Sequence, residues 1–129
     1  MDEIKNILLA EDDKLIADLY QRSLTKAGYF VDLAADGQEA LDKLSKTYYK
    51  LVLLDIMMPQ KNGVEVLQQL KGSNFPSKDS PVIVVSNLGQ DDIINQCLNL
   101  GAVGYLIKSQ NLPEQIVEKV KDFMISISH

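Results

Sequence analysis

Two short runs, Leu51-Val52-Leu53-Leu54 and Val82-Ile83-Val84-Val85, are apolar at every position. A strand with one wet face alternates apolar and polar residues, so an unbroken run of β-forming side chains needs cover on both faces. Helix layers above and below a parallel sheet supply that cover. Three further β-rich runs, Asn6 to Ala10, Tyr29 to Ala34 and Val103 to Ile107, alternate with five segments of helical spacing. The predicted helices run from Lys14 to Ala27, Gly37 to Lys46, Gly63 to Lys71, Asp91 to Leu100 and Leu112 to Ile127. Strand starts near residues 7, 30, 51, 82 and 104 are spaced as successive strand-helix units require. The expected class is α/β: a doubly wound, five-stranded parallel sheet between five helices.

Local signals agree with this pattern. In the first helix Ile16, Tyr20, Leu24 and Ala27 form an apolar stripe, with Asp18, Arg22 and Thr25 on the opposite side. Gly28 and Gly101 sit where helices end, and Pro113 sits near the start of the last one. Asp36-Gly37 reads as a turn, and the stretch from Gly72 to Pro81 reads as a surface loop.

Composition bounds what such a chain does. At 129 residues and 46% apolar content it supports one core, so residues 1–129 are expected to form one domain. Thirteen basic against eighteen acidic side chains give a net charge of −5, which disfavours direct binding to nucleic acid or to anionic membranes. No apolar run is long enough to span a bilayer, and Met1 to Asn6 lacks the apolar stretch of a signal peptide, so a cytoplasmic location is expected. The single cysteine, Cys97, excludes an internal disulfide and a multi-cysteine metal site, and reads as a packed helix residue.

In open parallel sheets ligands bind beyond the carboxyl ends of the strands. The first strand is followed there by Glu11-Asp12-Asp13, the third by Asp55, the fourth by Ser86-Asn87 and the fifth by Lys108. If the first and third strands are neighbours, several carboxylates, a hydroxyl and an ammonium share one edge. Clustered carboxylates repel, and a hard divalent ion with oxygen ligands relieves them; Mg²⁺ suits few carboxylates, retained waters and an added phosphate. Glu11, Asp12 and Asp55 against Lys108 leave two negative charges for such an ion to cancel. The acids at 11–13 are equally well explained as caps of the following helix. Taken alone, Ser86 reads as a cap or turn residue and Lys108 as a snorkelling surface lysine. Their joint placement at strand ends is what points to a site.

These residues, in order, resemble the receiver domain of two-component response regulators, related to the bacterial chemotaxis regulator. The landmarks are Ile7-Leu8-Leu9-Ala10-Glu11-Asp12-Asp13, Leu51 to Pro59 with Asp55, Gly63, Val82 to Ser86, and Gly101 to Lys108, within a resemblance spanning residues 5 to about 125. It implies strand order 2-1-3-4-5, the flavodoxin-like arrangement. It implies that Asp55 accepts a phosphoryl group from a histidine kinase or phosphotransfer protein, and that Asp12, Asp55 and the Met57 backbone carbonyl hold Mg²⁺ directly, with Glu11 acting through water. Lys108 and the Ser86 hydroxyl would contact phosphoryl oxygens. Ser86 and Tyr105 would form the switch, the Tyr105 ring turning inward as Ser86 is drawn to the phosphate and reshaping the face of helix four, strand five and helix five. The kinase would dock on Leu15, Asp18, Leu19 and Arg22 together with Ser109 and Gln110.

There are four departures from the family pattern, the last of them at two positions. Ser109 follows the lysine where proline with a cis bond is usual, Asn87 replaces a small residue, and Asn62 replaces a frequent aspartate. Met57 and Leu88, two residues after Asp55 and Ser86, are both apolar, which implies slow self-dephosphorylation. A haloacid-dehalogenase-like phosphatase needs an acid where Met57 stands, and no nucleotide-binding glycine motif is present. A pseudo-receiver acting only as a protein-binding module is the other alternative, against which the full acid, serine and lysine set argues. Helix four offers Asp91, Asp92, Asn95, Gln96 and Asn99 with no basic residue, so a monomer or weak dimer is expected. A stand-alone protein is the simplest expectation, with the input domain of a longer regulator as the alternative.

Overall fold

The structure, a computed structural model, describes residues 6–127; Met1 to Lys5, read above for targeting signals, and the final Ser128 and His129 lie outside the described residues. Five strands alternate with five α-helices: β1 Asn6–Ala10, α1 Lys14–Lys26, β2 Phe30–Ala34, α2 Gly37–Lys46, β3 Leu51–Leu54, α3 Gly63–Lys71, β4 Val82–Ser86, α4 Asp91–Asn99, β5 Gly104–Ile107 and α5 Pro113–Ser126. All strand pairs are parallel, in the order β2-β1-β3-β4-β5.

The unbroken apolar runs are covered on both faces, as their sequence required. Alternate residues of the same strands divide between two cores. Leu8, Val52, Leu54, Val82 and Val84 pack with α2, α3 and α4 residues such as Leu44, Leu67 and Cys97. Ile7, Leu9, Leu51, Leu53, Ile83 and Val85 pack with Tyr20 and Leu24 of α1 and Ile116, Val120 and Met124 of α5. Each fully buried aliphatic side chain contributes about 1.5–3 kcal/mol relative to exposure. The Ile16 to Ala27 stripe lies against the second core, and Asp18, Arg22 and Thr25 are exposed.

Local chemistry sets the helix ends. The Asp13 carboxylate accepts from the amides of Leu15 and Ile16, at 3.0 and 3.2 Å, and so starts α1. Asn62 and Glu65 form a reciprocal capping box at α3, a role for Asn62 beyond turn formation. Gly28 and Gly101 follow α1 and α4 with φ of 97° and 108°, the left-handed conformation expected there.

Two readings need correction. Asp36-Gly37 is not a free turn: Asp36 is the N-cap of α2, accepting from the Glu39 amide at 2.8 Å, and Gly37 is buried inside the helix start. The Gly72 to Pro81 stretch is not wholly surface. Ser77 and Ser80 are fully buried, because their hydroxyls donate to the Thr47 and Tyr49 carbonyls at 2.9 and 2.5 Å. A hydroxyl with a partner loses the penalty of burial, so this loop is tied to the α2–β3 connection.

Candidate functional site

The sheet ladder itself delivers the acids. Glu11 N–H donates to Ala34 O at 2.9 Å and Asp55 N–H to Ala10 O at 3.0 Å, so pairing continues one residue past β1 and β3 and sets both carboxylates on one edge. Gly63 packs against the β3 end so closely that a Cβ there would lie 2.3 Å from Asp55 O. Any side chain at 63 would displace Asp55, which is the physical content of that landmark glycine.

Carboxylate oxygens of Glu11, Asp12 and Asp55 lie within 4.8 Å of one another. The Lys108 ammonium donates to Asp55 Oδ2 at 2.9 Å and also to Glu11 Oε1. Glu11 and Asp55 are buried, whereas Asp12 is exposed at the rim. The other carboxylate oxygens also have donors: Asp13 N–H reaches Glu11 Oε2 at 3.1 Å, and Met57 N–H reaches Asp55 Oδ1 at 3.2 Å. The capping explanation thus holds for Asp13 alone among the three acids after β1.

Electrostatics follow from three carboxylates meeting one ammonium. Burial, with the Asp55 charge adding to it, pushes Glu11 up to about 7 against the opposing pull of Lys108 and the Asp13 amide. For Lys108, burial alone would lower the pKa, but its hydrogen bonds to Glu11 and Asp55 outweigh burial and the net shift is upward. The ammonium therefore stays charged, and the acid cluster retains a negative excess. An all-oxygen, carboxylate-rich donor set of this charge fits a hard divalent cation.

Ser86 ends β4, fully buried, and its Oγ accepts from Leu88 N–H at 3.3 Å. The half-buried Tyr105 hydroxyl donates to the Leu88 carbonyl at 2.5 Å. Ser86, Leu88 and Tyr105 thereby form one connected path from the site toward β5. Lys108 opens a 3₁₀ turn, Lys108–Gln110, and no described peptide bond is cis, so the loop carrying Ser109 follows a trans path. Asn111 Nδ2 secures that turn by donating to Ile107 O at 2.9 Å.

Above the acids opens a cleft of about 690 Å³ lined by Glu11, Asp12, Asp55, Met57, Asn87, Leu88 and Lys108, all singled out from sequence, and by Ile16, Met58 and Pro59, which were not assigned to a site. The helical stripe had directed Ile16 to the core, and it serves both surfaces. Leu15 and Leu19 on α1 are 85% and 44% exposed, Asp18 and Arg22 pair at 2.7 Å in solvent, and Ser109 and Gln110 are exposed near Lys108. Among the described residues no helix is long and apolar enough to cross a membrane.

Comparison with known proteins agrees with this geometry. The family profile "Response regulator receiver domain" matches residues 7–121. Response regulator RR06 of Streptococcus pneumoniae is 38% identical over 116 residues, covering 90% of this chain and 51% of the relative, so the chain spans about half the length of that curated protein. Among solved structures, a phosphorylated cyanobacterial phytochrome response regulator, RcpA, superposes with a TM-score of 0.87 at 32% identity, covering 98% of both chains. The Mn²⁺-bound form of response regulator Rcp1 superposes at 0.85 with 29% identity and 97% coverage of each. With the sheet order, the acid cluster and a profile spanning nearly every described residue in agreement, the chain belongs to the response regulator receiver domain family.

Proposed function

We propose that residues 1–129 act as one receiver domain that takes a phosphoryl group onto Asp55 and relays it as a change of surface shape. The observation that carries this reading is the convergence of Glu11, Asp12 and Asp55 within 4.8 Å, with Lys108 held between two of them. In the transfer an Asp55 carboxylate oxygen forms a bond to phosphorus as the phosphorus–nitrogen bond of a phosphohistidine breaks, and the departing imidazole keeps the electron pair. The donor is a histidine kinase or phosphotransfer protein. Asp12 and Asp55 would hold Mg²⁺ directly, Glu11 through water and Met57 through its carbonyl. When bound, that ion supplies charge neutralisation for the transferring oxygens.

Lys108 exchanges part of its hold on Asp55 for a phosphoryl oxygen. The Ser86 hydroxyl donates to another. Because Ser86 and Tyr105 both bond to Leu88, drawing Ser86 toward phosphate shifts the acceptor of the Tyr105 hydroxyl and reshapes the α4–β5–α5 face. The exposed Leu15 and Leu19 with Ser109 and Gln110 receive the kinase. Output goes to a protein target in the cytoplasm. Met57 and Leu88 place apolar groups on the cleft, which keeps water from the phosphate and makes self-dephosphorylation slow.

Intact-mass measurement after incubation with acetyl phosphate tests the assignment. A species heavier by one phosphoryl group is expected with Mg²⁺ and not without it, and Asp55→Ala abolishes it. No heavier species under any condition would leave a pseudo-receiver that only binds partners.

A further inference from the structure

The described methionines differ sharply in access. Met124 is fully buried between α1 and α5, and Met58 is half-buried against the α2–α4 core. Met57 is 59% exposed. Its position is also fixed: its amide is tied to Asp55 Oδ1 at 3.2 Å, and the residue lines the same cleft as Asp55 and Leu88. A thioether that is open to solvent, on a residue whose backbone is held beside the phosphoacceptor, meets oxidants before any other sulfur in the described chain. Cys97 does not compete, since it is completely buried and burial pushes its thiol away from the reactive thiolate.

We infer that Met57 is a reversible oxidation site, attacked by hydrogen peroxide or a related two-electron oxidant, whose modification shortens the life of the Asp55 phosphate. The inference rests on the phosphoacceptor reading above. In the reaction the Met57 sulfur attacks one peroxide oxygen and the O–O bond breaks. Sulfur gives up two electrons to become the sulfoxide, and the second oxygen leaves as water once a proton passes to it. The product keeps the chain length of methionine but replaces an apolar rim group with a strong hydrogen-bond acceptor. Water that the thioether excluded is then held beside the phosphoryl group, where it is the nucleophile for hydrolysis. Sulfoxide reductase chemistry restores the apolar rim.

Peroxide treatment followed by peptide mass mapping is expected to put the first added oxygen on Met57, ahead of Met58 and Met124. Treated and untreated protein are then loaded with acetyl phosphate and Mg²⁺, the donor is removed, and loss of the phosphoryl mass is followed. Decay should quicken by roughly twofold to tenfold, the effect of one net hydrogen bond to the attacking water. Methionine sulfoxide reductase should return the slow decay, and Met57→Leu should decay at one rate whether treated or not. First oxidation at Met58 or Met124, an unchanged decay with Met57 fully oxidised, or equal acceleration in treated Met57→Leu would each overturn the inference. Uptake of phosphate by the untreated protein is a separate reading. If it fails, the phosphoacceptor assignment falls and this inference with it, whereas normal uptake with oxidation-insensitive decay removes the inference alone.

Discussion

The sheet carries two clusters in which lysine meets carboxylate, and they are built to opposite ends. At the β2–α2 side, Lys43 Nζ donates to Asp32 Oδ1 at 2.9 Å and to the Leu33 carbonyl at 2.6 Å, while the Tyr49 hydroxyl donates to Asp32 Oδ2 at 2.6 Å. Lys43 holds Asp32 closely and Glu39 Oε1 only loosely, at 3.8 Å, and each Asp32 oxygen has its donor. Burial acts to raise Asp32, but Tyr49 and Lys43 outweigh it and hold the carboxyl below its ordinary value. At the β1–β3 edge one ammonium serves a set of three carboxylates, and Glu11 is driven the other way, up to about 7. The first cluster is complete within the chain. In the second the Glu11 and Asp55 oxygens also have donors, but three carboxylates meet one ammonium, and that negative excess, which fits a further cation, distinguishes a candidate site from a brace.

Removing each lysine separates the two most strongly. Lys108 is 11% exposed between two acids that are less exposed still, so Lys108→Met leaves buried carboxylates uncompensated and should cost about 3 kcal/mol in metal-free denaturation at neutral pH. Saturating Mg²⁺ should recover part of that loss. Lys43 and Asp32 are each about a third exposed, and solvent screens them; Lys43→Met should cost about 1 kcal/mol or less, with no response to Mg²⁺. Equal losses, or equal metal responses, would erase the distinction between site and brace.

Neutralising a carboxylate at each cluster should move stability in opposite directions. Asp12→Asn relieves repulsion and should stabilise the metal-free protein by about 0.5–1 kcal/mol while weakening Mg²⁺ binding, the usual exchange of function for stability. Asp32→Asn forfeits a charged hydrogen bond from Tyr49 and the Lys43 pair, and should destabilise by about 1 kcal/mol. Urea denaturation with and without Mg²⁺ measures both. A stabilised Asp32→Asn, or a destabilised Asp12→Asn, would show the charge argument to be wrong in sign.

Sequence made the sheet legible because continuous burial leaves no room for alternation. β1, β3, α2 and α3 have the expected bounds, and α1, α4 and α5 end within a residue of theirs. The acids and Lys108 were legible for a related reason: in a parallel sheet the residue after each strand is at the ligand edge. That β1 and β3 are neighbours does not follow from periodicity, and came only through the family resemblance. What stayed hidden was where side chains point. Glu11 and Asp13 are chemically alike in sequence, yet one turns to Lys108 and the other caps α1. Asp32 and Tyr49, or Ser77 and Thr47, meet across 17 and 30 residues of chain, and such pairing leaves no local pattern. The mixed composition of the Gly72 to Pro81 loop therefore concealed two buried serines.

The smallest effect concerns acid. Asp32 has a folded-state pKa below the unfolded value near 3.8, so its contribution to stability is complete above that value and is lost as pH falls through the lower, folded one. The stability gap between wild type and Asp32→Asn should accordingly be constant near neutrality and close in strong acid, by a few tenths to about 1 kcal/mol for so exposed a pair. Tyr49→Phe removes the leading opponent of burial at Asp32, and should lift the Asp32 carboxyl toward 3.8 in an NMR titration, so that the gap starts to close at a higher pH. If Tyr49→Phe left the Asp32 titration in place, the short phenol–carboxylate contact would not be what holds this brace together. Lys43 alone would then set it, and the contrast with the cation-starved edge would reduce to the number of lysines.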